Sequence, residues 1–236
     1  MVIGPSFVET TLLTCLQLKI ESEIMLLRLL LIFLSLNHVA LSENLNDETQ
    51  GSHQILVIGD SLSAEYGIET GKGWVNLLNN RLQQQNTSSK WTVVNASISG
   101  DTTAGGVERL PKLIKNYQPV LCIIALGAND GLRGFPINDM QNNLDSMVKQ
   151  CHASGTSLLI GMHLPPNYGK AYTNAFHQVY ANVANNNGIS YVPFMLDGIA
   201  LEEKYFQADR LHPTAEAQSI ILENVWDKLE QLLIHL

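Results

Sequence analysis

A serine becomes a nucleophile when a base takes its proton and nearby donors receive the charge that develops on the attacked carbonyl. This sequence holds residues of each kind. Ser61 follows an apolar run at 54–58 and lies within Gly59-Asp60-Ser61-Leu62-Ser63. A serine between a strand pattern and a helix pattern projects from a tight turn near a helix N-terminus, where its own N–H can face a carbonyl oxygen. Asp209 and His212 stand three apart in Asp209-Arg210-Leu211-His212-Pro213. At that spacing the carboxylate can accept from one ring nitrogen while the other faces Ser61. Gly100 offers a backbone N–H that no side chain shields. Asn129, in Leu126-Gly127-Ala128-Asn129-Asp130-Gly131, offers a side-chain NH2. The expected chemistry is acyl transfer, with Ser61 as nucleophile, His212 as base, Asp209 as its carboxylate, and Ser61 N–H, Gly100 and Asn129 as oxyanion donors.

Each signal alone has a plain structural explanation. Turns are rich in Gly, Asp, Ser and Asn, and a histidine before proline often only starts a helix. Four such blocks in order, each at a strand edge, are harder to explain as turn chemistry. His163 also ends a strand and could line the pocket. His177 falls in a helix pattern, and His152 and His235 look peripheral. Only His212 has a carboxylate at a workable local spacing. There is no G-x-S-x-G elbow, no Walker-A loop and no G-x-G-x-x-G after the first strand. No His-x-x-x-His or paired-Cys pattern suggests a metal, so neither metal nor cofactor is expected.

These blocks need a scaffold, and the chain alternates strand and helix patterns from residue 54 onward. Apolar runs at 54–58, 91–96, 120–126, 157–162 and 189–194 read as strands. Between them Trp74, Leu77, Leu78 and Leu82 recur at helical spacing, as do residues 107–117, 140–151 and 176–183. Pro111 predicts a kink or a late start in the second helix. A last helix is expected over 213–233, with Pro213 in its first turn. Strands separated by helices imply right-handed crossovers and a parallel sheet, hence a three-layer α/β/α sandwich of about five strands. Such sheets carry their sites at the carboxyl ends of the strands, where all the blocks above fall.

Composition bounds the rest. The 236 residues are 45% hydrophobic and 15% charged with a net charge of −8, a globular balance without a basic block. Nucleic acid is therefore not an expected partner. From Met25 the chain reads as a secretory signal: Arg28, then apolar Leu29 to Leu36, then Ala40-Leu41-Ser42. The apolar run is short for a membrane span. The reading is an extension and signal over 1–42, with the true start at Met25, removal after Ser42, and one domain over 43–236. The product would be periplasmic or secreted. Cys122 and Cys151 read as small buried hydrophobes.

Five ordered blocks, ILVIGDSLSAEYGI, VVNASISGDTTAGG, LGANDGLRG, LPPNYG and DRLHP, make the chain resemble the SGNH, or GDSL, hydrolase family. The likeness is greatest to its bacterial thioesterase, lysophospholipase and arylesterase branch, and it spans residues 54–233. The resemblance implies a flavodoxin-like parallel sheet of five strands and hydrolysis of acyl thioesters, lysophospholipids and simple aryl esters. It puts the family's nucleophile on Ser61, its oxyanion donors on Ser61, Gly100 and Asn129, and its acid and base on Asp209 and His212. Ala128 departs from the glycine often found there, and His163 stands where a relative has another polar residue. The loops at 131–135 and 164–168 are expected to form an acyl groove, with Leu164, Pro165 and Tyr168 touching substrate. A carbohydrate O-acetylesterase with a polar cleft, and a non-catalytic ligand-binding module, are the competing readings.

Overall fold

The computed structural model describes Met25, residues 53–85 and residues 90–236. The chain divides into two units, 1–51 and 52–236, and the following concerns the second. The signal segment expected over 1–42, Met25 apart, lies outside the described residues.

Apolar side chains build the sheet. β1 (His53–Gly59) and β3 (Leu121–Ala125) are its middle strands, and Ile55 to Ile58 and Leu121 to Ile124 are essentially inaccessible to water. Runs this apolar can persist only where helices cover both faces. The order is β2-β1-β3-β4-β5, all parallel, with β2 at Trp91–Asn95, β4 at Thr156–Ile160 and β5 at Ser190–Val192. The pairing Leu56↔Cys122 and Gly59↔Ala125 aligns the carboxyl ends of β1 and β3. Each fully buried leucine or isoleucine of these strands stabilises the fold by roughly 1.5–3 kcal/mol.

Among the described residues six helices flank the sheet. α1 (Trp74–Gln84) packs on α6 (Gln218–Leu233), while α2 (Thr103–Tyr117), α4 (Ile137–His152) and α5 (Lys170–Asn187) pack in sequence. α3 (Ala128–Leu132) is a single short turn of helix. α1 buries Trp74, Leu78 and Leu82, one per turn on one face. This is the expected three-layer sandwich.

Three local expectations fail. Of the kink or late start expected from Pro111, the late start fails: α2 begins at Thr103, with Thr102 as its N-cap, and runs through Pro111. Pro213 does not open the last helix. It pairs with Phe206 in an isolated antiparallel bridge, and α6 begins at Gln218 after a 3-10 turn at Ala215–Ala217. Thr214 N–H donates to the Tyr205 carbonyl (2.8 Å), so the backbone there serves a loop contact rather than a helix. No helix follows Ser61 directly. Residues 61–67 are turns, and α1 begins only at Trp74.

Cys122 and Cys151 are free and buried, as expected. The Cys151 thiol, hydrogen-bonded to it, and then burial push the Cys122 thiol well up, so Cys122 is not a ready thiolate.

Candidate active site

In the strand order 2-1-3 the connections leave β1 and β3 toward opposite faces, which opens a crevice at their carboxyl ends. Ser61 lies beyond β1, Gly100 beyond β2 and Asn129 beyond β3. His212 reaches the same place from a loop after β5.

The Ser61 turn is held from within. The Asp60 carbonyl accepts from Ser63 N–H (3.1 Å) and Ala64 N–H (2.9 Å), closing one tight turn around Ser61. The Asp60 carboxylate accepts from Leu62 N–H at 3.0 Å. Farther along, Glu65 accepts from Gly73 N–H (2.7 Å), Gly71 N–H (3.0 Å) and Asn76 Nδ2 (2.7 Å), tying the loop to α1. Burial raises the Glu65 pKa, but these donors together outweigh it and leave it lowered.

His212 Nε2 lies 2.9 Å from Ser61 Oγ, and His212 Nδ1 lies 2.6 Å from Asp209 Oδ2. In the tautomer that base catalysis needs, Nδ1–H donates to Asp209 and Nε2 accepts from Ser61 O–H. Asp209 Oδ1 also accepts from His212 N–H and Leu211 N–H, both at 3.0 Å. The carboxylate thus shapes the loop and orients the ring. These bonds, the His212 backbone N–H first, hold the Asp209 pKa down to about 2.

Gly100 sits at φ +80°, a conformation that L side chains rarely adopt. Among the described residues, no acceptor is bonded to the backbone N–H of Ser61 or of Gly100. Asn129 Nδ2 donates to the Asp101 carbonyl at 2.9 Å and makes a long contact, 3.4 Å, to Asp60 Oδ2. One amide N–H is therefore anchored and the other only loosely held. Two free N–H groups and one loosely held N–H, carried beyond the carboxyl ends of three adjacent strands, are the kind of donors that the oxygen of an attacked acyl carbonyl needs.

Sequence reasoning missed the braces behind this arrangement. Arg109 donates from Nε to Asp101 (2.8 Å) and also to the carbonyls of Ala96 and, at 3.5 Å, Gly59. One guanidinium thereby joins the ends of β1 and β2 to the Gly100 loop. Asp130 is buried and accepts from Thr103 N–H (2.9 Å) and Oγ1 (2.6 Å), fixing the start of α2 behind that loop. Arg133 donates to the Gly100 carbonyl at 2.9 Å. Asp101 precedes the N-cap of α2 and Arg109 lies within the helix, eight residues on.

The expected groove residues divide. Leu164 is buried in the core, Pro165 is exposed, and Tyr168 donates its hydroxyl to the Leu132 carbonyl at 3.0 Å. Tyr172 likewise donates to the Phe135 carbonyl at 3.1 Å, so two tyrosines pin the 131–135 loop. His163 stacks on Phe194 (ring centroids 4.2 Å apart) and meets His177 edge-on (3.9 Å), and burial lowers its pKa. Ala128, buried, is the first residue of α3. A shallow cavity of about 450 Å³ beside Phe135 and Asn143 includes no residue of the Ser61–His212–Asp209 chain. Among the described residues no group of three or more His, Cys, Asp or Glu could hold a metal ion.

The family model for GDSL-like lipases and acylhydrolases matches residues 57–220. The chain belongs to that family. This GDSL hydrolase is 48% identical over 180 residues to the esterase TesA of Pseudomonas aeruginosa, covering 76% of this chain and 89% of that protein. It is 38% identical over 182 residues to the thioesterase 1/protease 1/lysophospholipase L1 of Escherichia coli K12, covering 77% and 85%. The fold agrees as well. A crystal structure of TesA superposes with a TM-score of 0.74 at 48% identity, covering 76% of this GDSL hydrolase and 99% of that chain.

Proposed function

We propose that this GDSL hydrolase cleaves acyl esters and thioesters, lysophospholipids included, through a Ser61 acyl-enzyme. The hydrogen-bonded chain Ser61–His212–Asp209, at 2.9 and 2.6 Å, carries the reading. His212 takes the Ser61 proton as Oγ attacks the acyl carbonyl. Ser61 N–H, Gly100 N–H and the loosely held Asn129 N–H receive the oxyanion, and Asp209 balances the imidazolium. His212 then protonates the leaving alcohol or thiol. Water, deprotonated by the same ring, releases the acid and restores Ser61.

The choice of an acyl substrate over an acetylated sugar rests on the rim. Tyr66, Ile98, Phe135 and Leu211 are large, apolar and 42–53% exposed, and each lies within a few residues of a proposed site residue or against one. An acyl chain can bury such side chains, whereas a carbohydrate cleft calls for polar ones. The names of the relatives, an esterase and a thioesterase/lysophospholipase, agree with this. The test is Ser61→Ala and His212→Ala on p-nitrophenyl esters from acetyl to palmitoyl. Loss of turnover in both, with wild-type activity extending beyond acetyl, is the expected result. Turnover kept in both variants rejects the triad, and activity confined to acetyl esters favours the O-acetylesterase.

The same reading makes the product periplasmic or secreted after cleavage following Ser42. No helix among the described residues is long and apolar enough to cross a membrane. N-terminal sequencing of the exported protein is expected to begin just after Ser42, and a start within residues 1–24 overturns this.

A further inference from the structure

His212 becomes an imidazolium in each half of the reaction proposed above, and its surroundings must carry that charge. Asp209 faces Nδ1 from its own loop. Ser61 faces Nε2, and the Asp60 carboxylate acts on the ring through space. One more group lies against the ring. The Tyr66 and His212 ring centroids are 4.3 Å apart with planes tilted by 38°.

That contact is built rather than incidental. Tyr66 lies in the turns that follow Ser61, and Gln207 lies in the loop that precedes His212. Gln207 Nε2 donates to the Tyr66 carbonyl (2.8 Å) and to the Pro213 carbonyl (3.0 Å), while Gln207 N–H donates to the His212 carbonyl (2.8 Å). A single glutamine thus ties the backbone carrying Tyr66 to the backbone carrying His212. The neighbouring residue makes room for it: a Cβ on Gly67 would sit on the Gln207 side chain, and its φ of +71° favours glycine as well.

We infer that Tyr66 is a positioning residue for the proposed triad, its ring face holding the His212 imidazolium in place and stabilising its charge. The aromatic quadrupole attracts a cation within about 6 Å of the ring centroid. The neutral imidazole gains little from it, so the interaction strengthens as Ser61 gives up its proton, the condition for lowering a barrier. The Tyr66 hydroxyl is not needed for this, but the π-face is.

The inference rests on the Ser61–His212–Asp209 reading, and the experiment separates the two. Wild type, Tyr66→Phe, Tyr66→Leu and Ser61→Ala are compared for kcat and KM on one p-nitrophenyl ester from pH 5 to 9. Leucine keeps apolar cover over the ring and removes the π-face. Tyr66→Phe is expected to stay within twofold of wild type. Tyr66→Leu is expected to lower the kcat/KM plateau two- to fivefold through kcat, the range for a partly exposed cation–π contact. Its acid limb moves to lower pH by about half a unit, because the protonated ring has lost a partner. Asp60 and Asp209 are common to all these proteins and cancel in the comparison. An unmoved acid limb, or a loss confined to KM, overturns the inference and makes Tyr66 only a substrate contact. Turnover surviving in Ser61→Ala overturns the functional reading itself.

Discussion

Asp60 stands next to Ser61 with 1% of its surface exposed, and burial raises its pKa to about 6. The Leu62 N–H and the charge of His212 oppose that rise; Asp101 and Asp130 add to it. In the unfolded chain the same carboxyl titrates near 3.8. Between these two values the native state binds more protons than the unfolded one, so stability falls as pH rises. The gap is about 2 pH units, worth about 3 kcal/mol at 1.36 kcal/mol per unit. The penalty is about 0.5 kcal/mol at pH 4 and nearly complete at pH 7. Asp60→Asn keeps the shape and an acceptor for Leu62 N–H but cannot ionise. Any offset it causes through Asn129 does not depend on pH. About 2.4 kcal/mol of it develops over that interval, so at roughly 2–4 °C per kcal/mol for a domain of this size the Tm of Asp60→Asn relative to wild type should rise by roughly 5–10 °C from pH 4 to pH 7. Circular dichroism melts of both proteins across that range measure it. Parallel curves would mean that the burial of Asp60 does not oppose its charge in this fold.

Three further variants test the site geometry. In Asp209→Asn an amide oxygen can still cap Leu211 and His212, but its NH2 faces Nδ1 and puts the ring proton on Nε2; kcat should fall about 10⁴-fold with Tm near wild type at pH 7. The same change should flatten the acid limb of the stability curve, because the depressed Asp209 pKa contributes stability above about pH 4 that is lost as pH falls toward about 2. Gly100→Ala forces a side chain into φ +80° and displaces the N–H beside Ser61; kcat should drop by roughly 10²–10³ while KM changes little, and an unchanged kcat removes Gly100 from the oxyanion site. Arg109→Met keeps the apolar stem but leaves Asp101 without its partner; about 3 kcal/mol of stability in a urea melt should be lost, together with kcat.

The candidate chemistry could be proposed from the sequence because each of its residues is announced by its own neighbours. The apolar run before Ser61 marks a strand end, and the spacing of Asp209 and His212 allows the hydrogen bond that the fold makes. The layers were legible for a related reason. Strands as apolar as β1 and β3 exclude any arrangement that leaves a face wet. The expectations that failed depend on distant contacts. Pro213 satisfies every local rule for a helix start, yet its segment pairs with Phe206 and delays α6 to Gln218. Ser61 was expected beside a helix N-terminus, but Glu65 draws the following residues into a loop that reaches α1 only at Trp74.

Long-range pairing also hid the braces, and they bear on how the site works. Arg109 reads as an ordinary helix cation until the ends of β1 and β2 come within its reach. Asp130 reads as part of an Asn-Asp-Gly turn until α2 presents Thr103 to it. Both bond to backbone groups. The donors they hold, Gly100 N–H and the Asn129 amide, come from strands on opposite sides of β1, so no single loop can set their spacing. A shift of either strand end would move a donor relative to Ser61, and the value of a preorganised donor lies in needing no such movement during reaction. In the proposed reaction, precision at this crevice would therefore depend on Arg109 and Asp130, which bond to the backbone behind the donors, as well as on the residues that the sequence motifs advertise.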